Sequence, residues 1–236
     1  MEKNVLDTVW IVVPAYNEGS VIVAVAQEIL TVFPNLVIVD DGSTDTGGES
    51  TDDGLGRASK AGAIVLKHPI NLGQGAALQT GIEFALQQGA QYIATFDADG
   101  QHRIEDVLSM LHMIRSSNLD VVLGSRFMGN AVGISLGRRA LLRAAVIFTR
   151  LTTGLNLTDS HNGLRLFTRK GAQKIRLYQN RMAHASEILE QISAHRLKYA
   201  EIGNTVRYTE YSVAKGQRAS NAINIVIDLF AGRLIK

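Results

Sequence analysis

The 236-residue chain is 46% apolar and 19% charged, a composition that fits one large α/β domain or a domain with a small appendage. A formal charge of +2 gives no electrostatic footprint for nucleic acid, and the absence of cysteine excludes disulfides and thiolate chemistry. No apolar run approaches the roughly eighteen residues of a membrane span, and the one from Val9 stops at Pro14, too short for a signal peptide; the sequence reads as a protein that is soluble or rests on a surface.

In chain order, strand and helix patterns alternate. Val9 to Val13 reads as a buried strand, with Pro14-Ala15-Tyr16-Asn17-Glu18 as its exit loop. A helix is expected from about Ser20 to Thr31, stopped by Pro34. Leu36 to Val39 is a second strand that ends in Asp40-Asp41-Gly42-Ser43-Thr44-Asp45. From Thr46 to Gly62 the Gly, Ser, Thr and Asp content indicates a mobile loop, with at most a weak helix near Gly56 to Ala61. Ala63 to Leu66 is a third strand, and Asn71-Leu72-Gly73-Gln74-Gly75 is a glycine turn feeding a helix from Ala76 to Gln88.

The next strand, Tyr92 to Phe96, runs into Asp97-Ala98-Asp99-Gly100-Gln101-His102. Residues i and i+2 of an extended segment share a face, so the two acids can reach one hard cation, with Gln101 as a third oxygen. A turn opened by Asp97 and closed by Asp99-Gly100 accounts for the same residues without a metal. An amphipathic helix follows from Ile104 to Ser116, then a strand, Val121 to Leu123, opening onto Gly124-Ser125-Arg126. Repeated strand-helix steps imply a mostly parallel, Rossmann-like sheet flanked by helices, with right-handed crossovers.

The second half is less regular. It is expected to hold helices at 138–151, 170–177 and 185–194, strands at 163–167 and 198–206, and a C-terminal helix from about Ser220. On the first of these helices Arg139, Arg143 and Arg150 fall on one face, and Leu141, Ala144, Phe148 and Leu151 on the other. With seven Lys or Arg and one acid between Gly133 and Lys170, the segment suits an anionic membrane surface, or else packs on the sheet with a solvated arginine face. Ile223, Val226, Ile227, Phe230 and Leu234 form a second stripe that docks on the body, pairs with a second subunit in a homodimer, or dips into lipid.

The ordered motifs "VPAYNE", "VDDGSTD", "NLGQGAAL", "FDADGQH", "GSRF" and "HNGLRLF" resemble those of the family 2 nucleotide-sugar glycosyltransferases. More narrowly they resemble the branch of dolichol- and polyprenol-phosphate sugar transferases and bacterial surface-polysaccharide transferases. The resemblance implies a glycosyltransferase A-type α/β fold, a nucleotide diphosphate-sugar donor, a divalent metal (Mg or Mn) and inversion at the sugar carbon. It makes Pro14, Tyr16, Asn17, Glu18, Asp40, Asp41, Asp97 and Ala98 donor contacts, and Asp97, Asp99 and Gln101 the metal site. Gly73 and Gly75 either pass close to a ligand or simply turn the chain. Residues 1–130 become the donor half and 131–236 the acceptor half of a single structural domain.

Arg126, Arg165 and Lys215 are cations suited to a leaving diphosphate or an acceptor phosphate. Transfer to a hydroxyl needs a base, for which Asp159, His161 and Glu187 are the candidates; transfer to a lipid phosphate needs none. "DSHNGLRLF" stands where the dolichol-phosphate branch more often has Ser-Gly-Phe-Arg, a departure that favours a hydroxyl on a lipid-linked, polyprenyl-type saccharide. The expectation is therefore a cytoplasmic enzyme of cell-surface glycan synthesis, peripheral at the membrane face. Direct transfer to polyprenyl phosphate and a catalytically silent nucleotide-binding scaffold are the alternatives. A nucleotidyltransferase would carry a basic glycine-rich loop after the first strand, and Pro14 to Ser20 has no lysine or arginine.

Overall fold

The computed structural model describes residues 4–19, 21–44, 54–129, 136–179 and 183–207, with the side chains of 136–141 and 183 left out. Lys215, most of the Gly-rich segment before residue 54 and the expected C-terminal helix lie outside the described residues.

Among the described residues seven strands form one sheet: β1 Val9–Ala15, β2 Asn35–Asp40, β3 Ile64–Lys67, β4 Tyr92–Thr95, β5 Val121–Ser125, β6 Arg165–Thr168 and β7 Tyr199–Gly203. Their order is β3-β2-β1-β4-β6-β5-β7, and β6 alone runs antiparallel to its neighbours. The helices are α1 Ile22–Leu30, α2 Gly54–Lys60, α3 Gln74–Gln87, α4 Ile104–Ser116, α5 Leu136–Thr153, α6 Arg169–Ala172 and α7 Ala183–Ala194. The expected mostly parallel α/β sheet is present.

All seven residues of β1 are buried, because helices cover both faces of the sheet. On one face Ile22, Val25, Ala26 and Ile29 of α1, spaced i, i+3, i+4 and i+7, pack with Val107, Met110 and Ile114 of α4 against Ile11, Val13 and Ile38. On the other, Leu78, Ile82 and Ala85 of α3 meet Val12, Val37 and Val39, together with Ile188 and Ile192 of α7. Each fully buried aliphatic side chain contributes about 1.5–3 kcal/mol.

Two elements differ from expectation. The helix anticipated at 170–177 is the single turn α6, capped by Thr168, whose hydroxyl accepts from Gly171 N. Beyond it the chain is drawn out of helical geometry, because Arg176 N and Leu177 N donate to the side chains of Gln191 and Gln79. On α5 the buried face is Leu142, Ala145, Val146 and Thr149, whereas Ile147 is 59% and Leu151 82% exposed beside Arg143 and Arg150. Leu151 and Ala144 therefore share the outer face with arginines instead of lying opposite them. No helix among the described residues is long and apolar enough to cross a membrane.

Candidate active site

The C-terminal ends of β1, β2 and β4 deliver their exit loops to one edge of the sheet, where open α/β sheets bind ligands. The first two loops are tied together. Asn17, at φ 55°, accepts at its side-chain oxygen from Thr44 N, and its own N–H donates to Ser43 Oγ. Asp40 accepts from Ser43 N and so shapes its own turn. Pro14 is buried within β1, while Tyr16 is 42% exposed at the mouth of the edge.

Asp41 is 2% exposed and turns inward. Its carboxylate accepts from Leu72 N at 2.9 Å, Gly73 N at 2.7 Å and His68 Nδ1 at 2.8 Å. On its other side the His68 ring places Nε2 3.0 Å from the Thr80 hydroxyl, so the imidazole bridges Asp41 and α3. Asp41 thus fixes the glycine turn that starts α3. Gly73 has φ 96°, which a side chain rarely tolerates, and Gly75 lets Gln179 O approach to 2.3 Å of where a Cβ would lie.

Past β4 the backbone bends, so Asp97 and Asp99 sit in a turn closed by Gly100 at φ 72° rather than on an extended strand. Asp97 accepts from His102 Nε2 at 2.9 Å and from Gln74 Nε2 at 3.3 Å. Burial pushes its carboxyl up, but the His102 hydrogen bond and the charges of His102, Arg165 and His184 hold it below the usual value. Asp99 accepts from Gln101 N and Nε2. Burial, then the charges of Asp97 and Glu18, raise Asp99 to about 6. Asp97 and Asp99 thus form an acidic pair whose members feel each other's charge, with Glu18 near enough to act on Asp99.

That pair suits a divalent cation through two carboxylates, with the Gln101 oxygen available if its amide turns over. No group of three or more His, Asp or Glu side chains among the described residues is arranged to hold a metal. The chemistry of the pair fits a cation that takes its remaining ligands from phosphate and water.

Next to the acids lies a second cluster, built at the end of β6. Arg165 pairs in register with Thr95 of β4 and Leu123 of β5 and is 3% exposed. Burial lowers its guanidinium to about 10, opposed by the charges of Asp97 and Asp159, so it stays a cation between two acids. Asp159 Oδ2 accepts from Arg126 Nε at 2.7 Å and from Arg126 N at 3.1 Å, and Oδ1 accepts from His161 N. Arg126 Nη2 also donates to His161 O. Burial lowers His161 to about 4, against the pull of Asp159, so its imidazole is neutral. Glu187 lies apart from this cluster; its carboxylate accepts from Tyr178 N and Gln179 N and anchors the segment before α7.

Sequence reasoning passed over His68, Gln74, His102 and Glu201. His102 follows the acid pair directly, and its 4% exposure with a ring edge-on to Phe96 marks it as part of that turn. Glu201 is an acid within an otherwise strand-like stretch, the one local sign that it has partners.

The sheet order and the acidic turn at its edge define an A-type glycosyltransferase fold. The model for glycosyl transferase family 2 matches residues 10–176, and the chain belongs to that family. It is 34% identical over 233 residues to an uncharacterised protein of Methanocaldococcus jannaschii, covering 97% of this chain and 93% of that one. It is 31% identical over 224 residues to the UDP-N-acetylglucosamine–dolichyl-phosphate N-acetylglucosaminyltransferase of Methanococcus voltae, covering 88% and 89%. Among solved structures, glucosyl-3-phosphoglycerate synthase from Mycobacterium tuberculosis, in complex with Mn2+, UDP-glucose and glycerol 3-phosphate, superposes with a TM-score of 0.66 at 19% identity. It covers 95% of this chain and 79% of that one, a likeness of fold.

Proposed function

We propose that the chain is an inverting, nucleotide-sugar-dependent hexosyltransferase that moves a sugar onto the phosphate of a polyprenyl-type lipid. The observation that carries the acceptor is the state of the candidate bases. Asp159 is committed to Arg126, Glu187 to two backbone N–H groups, and His161 is a neutral imidazole too weakly basic to hold a proton near neutral pH. An acceptor hydroxyl would need one of them free; a phosphate is already an anion. The Methanococcus voltae relative is named for a dolichyl-phosphate acceptor. Hydroxyl transfer, expected from the "SHNG" departure, gains no support from these contacts.

In this reading the loops of residues 1–130 hold the donor, with Tyr16, Asn17, Glu18 and Asp40 at the nucleotide and the turn at Gly73 and Gly75 beneath it. Asp97 and Asp99 would hold a divalent cation, which when bound neutralises charge developing on the leaving diphosphate. His102 and Gln74 orient Asp97. Arg165, buried between Asp97 and Asp159, supplies a fixed positive charge near the reacting centre. Arg126 receives the acceptor phosphate. Residues 131–236 form the acceptor half, and the outer face of α5, with Arg143, Ile147, Arg150 and Leu151, meets an anionic membrane surface.

The test is turnover. The protein is incubated with UDP-, GDP- and dTDP-sugars, Mn2+ or Mg2+, and farnesyl phosphate, and products are read by mass spectrometry. A hexosyl-phosphate-lipid supports the reading; release of nucleotide diphosphate with no lipid product, or no reaction with any donor, opposes it.

A further inference from the structure

We propose that Glu201 is a positioning residue for the acceptor phosphate, acting through Asp159 to present Arg126; the proposal rests on the lipid-phosphate reading above. Glu201 lies on β7, beyond the segment that matches the family model. In the β5–β7 ladder it stands opposite Leu123, with Ser125 and Arg126 following at the same strand end.

Its two oxygens take two successive backbone donors, Thr158 N at 2.7 Å and Asp159 N at 3.0 Å. The Ser125 and Thr158 hydroxyls meet at 2.6 Å and tie the same loop to β5. Held this way, Asp159 receives both the main-chain N–H and Nε–H of Arg126, while Nη2 binds His161 O. The guanidinium is therefore gripped along one edge, and Nη1 has no hydrogen-bond partner among the described residues. A fork held in advance loses less freedom when it meets an anion.

Glu201 makes no ion pair among the described residues, and it stands close enough to Asp159 to feel its charge. A carboxylate beside another carboxylate is a costly choice for a mere strand residue. It is what two adjacent N–H donors require, since a glutamine offers one accepting oxygen and turns its NH2 toward the other N–H.

The experiment is a double-mutant cycle on farnesyl phosphate affinity, by calorimetry, in wild type, Glu201→Gln, Arg126→Gln and the double variant. Glu201→Gln is expected to weaken binding about tenfold, and to add nothing once Arg126 is gone. Independent, additive losses would mean that Glu201 acts through general stability, and unchanged affinity in Glu201→Gln would mean that it does not act; either overturns the proposal. If the wild type fails to bind farnesyl phosphate, the acceptor reading falls, and Arg126 Nε–H exchange by NMR decides the relay. Faster exchange in Glu201→Gln then supports positioning, and an unchanged rate refutes it.

Discussion

Gly163 and Asp97 are in contact so close that only a hydrogen fits between them: a Cβ at Gly163 would lie 2.1 Å from Asp97 Oδ2 and 2.6 Å from Cγ. Gly163 O also accepts from the Thr95 hydroxyl at 2.6 Å, which pins the glycine at the end of β4. The carboxylate is thereby pressed between this backbone and His102. Gly163→Ala should push Asp97 off His102, reduce turnover by roughly two orders of magnitude and cost about 1–3 kcal/mol of stability. Steady-state rates and thermal melts check both; a variant with normal kcat would show that the contact has no catalytic weight.

Asp99 links pH to both stability and metal binding. Its carboxyl titrates near 6 in the folded chain against 3.8 in the unfolded one, so the folded state binds that proton more tightly. Ionising it costs folding energy as pH rises from about 4 through 6, and the metal-free protein carries that cost at neutral pH. Asp99→Asn should therefore raise the melting temperature of metal-free protein at pH 7.5 by a few degrees while abolishing turnover. The gain should vanish below about pH 4, where both states are protonated. In the wild type, affinity for the divalent cation should fall as pH drops through about 6, because the proton on Asp99 competes with the metal.

Asp41 should act on donor binding through the turn it holds. Asp41→Asn turns an NH2 toward backbone N–H groups and should cost about 1–3 kcal/mol. His68→Phe, which removes one of three donors, should cost less. Both should raise KM for the nucleotide sugar more than they lower kcat, measured with acceptor saturating. An equal fall in kcat with KM unchanged would place Asp41 in the chemical step instead.

The outer face of α5 gives a membrane prediction that differs from the one its arginine spacing suggested. Ile147→Asp with Leu151→Asp should release the protein from phosphatidylglycerol vesicles in flotation assays without changing its melting temperature, since both side chains are exposed. Retention on the vesicles would exclude this face.

The strand ends and their acids were legible in the sequence because buried strands stop abruptly at charged residues, as at Val39-Asp40 and Phe96-Asp97. Ordered motifs then supplied the family. What the carboxylates do was not legible. Asp40, Asp41, Asp97 and Asp99 look equivalent along the chain, yet Asp41 turns into the protein to hold Gly73 while Asp99 faces its own kind. That distinction depends on His68, which reaches Asp41 from beyond β3, and on Gln101 and Asp97 around Asp99, none of which carries a periodic signal. The α5 face was misread for a related reason. An arginine stem and an alanine give little contrast along a helix, and Leu142, Val146 and Thr149 win the packing against the body.

The most direct measurement is a competition in one vessel. Farnesyl phosphate and a farnesyl diphosphate-linked N-acetylglucosamine are offered together with the preferred nucleotide sugar and Mn2+, and products are resolved by mass spectrometry. The sugar is expected on the monophosphate, with Asp99→Asn giving none. Sugar appearing only on the saccharide hydroxyl would contradict the lipid-phosphate reading and return the search for a base to Asp159, His161 and Glu187.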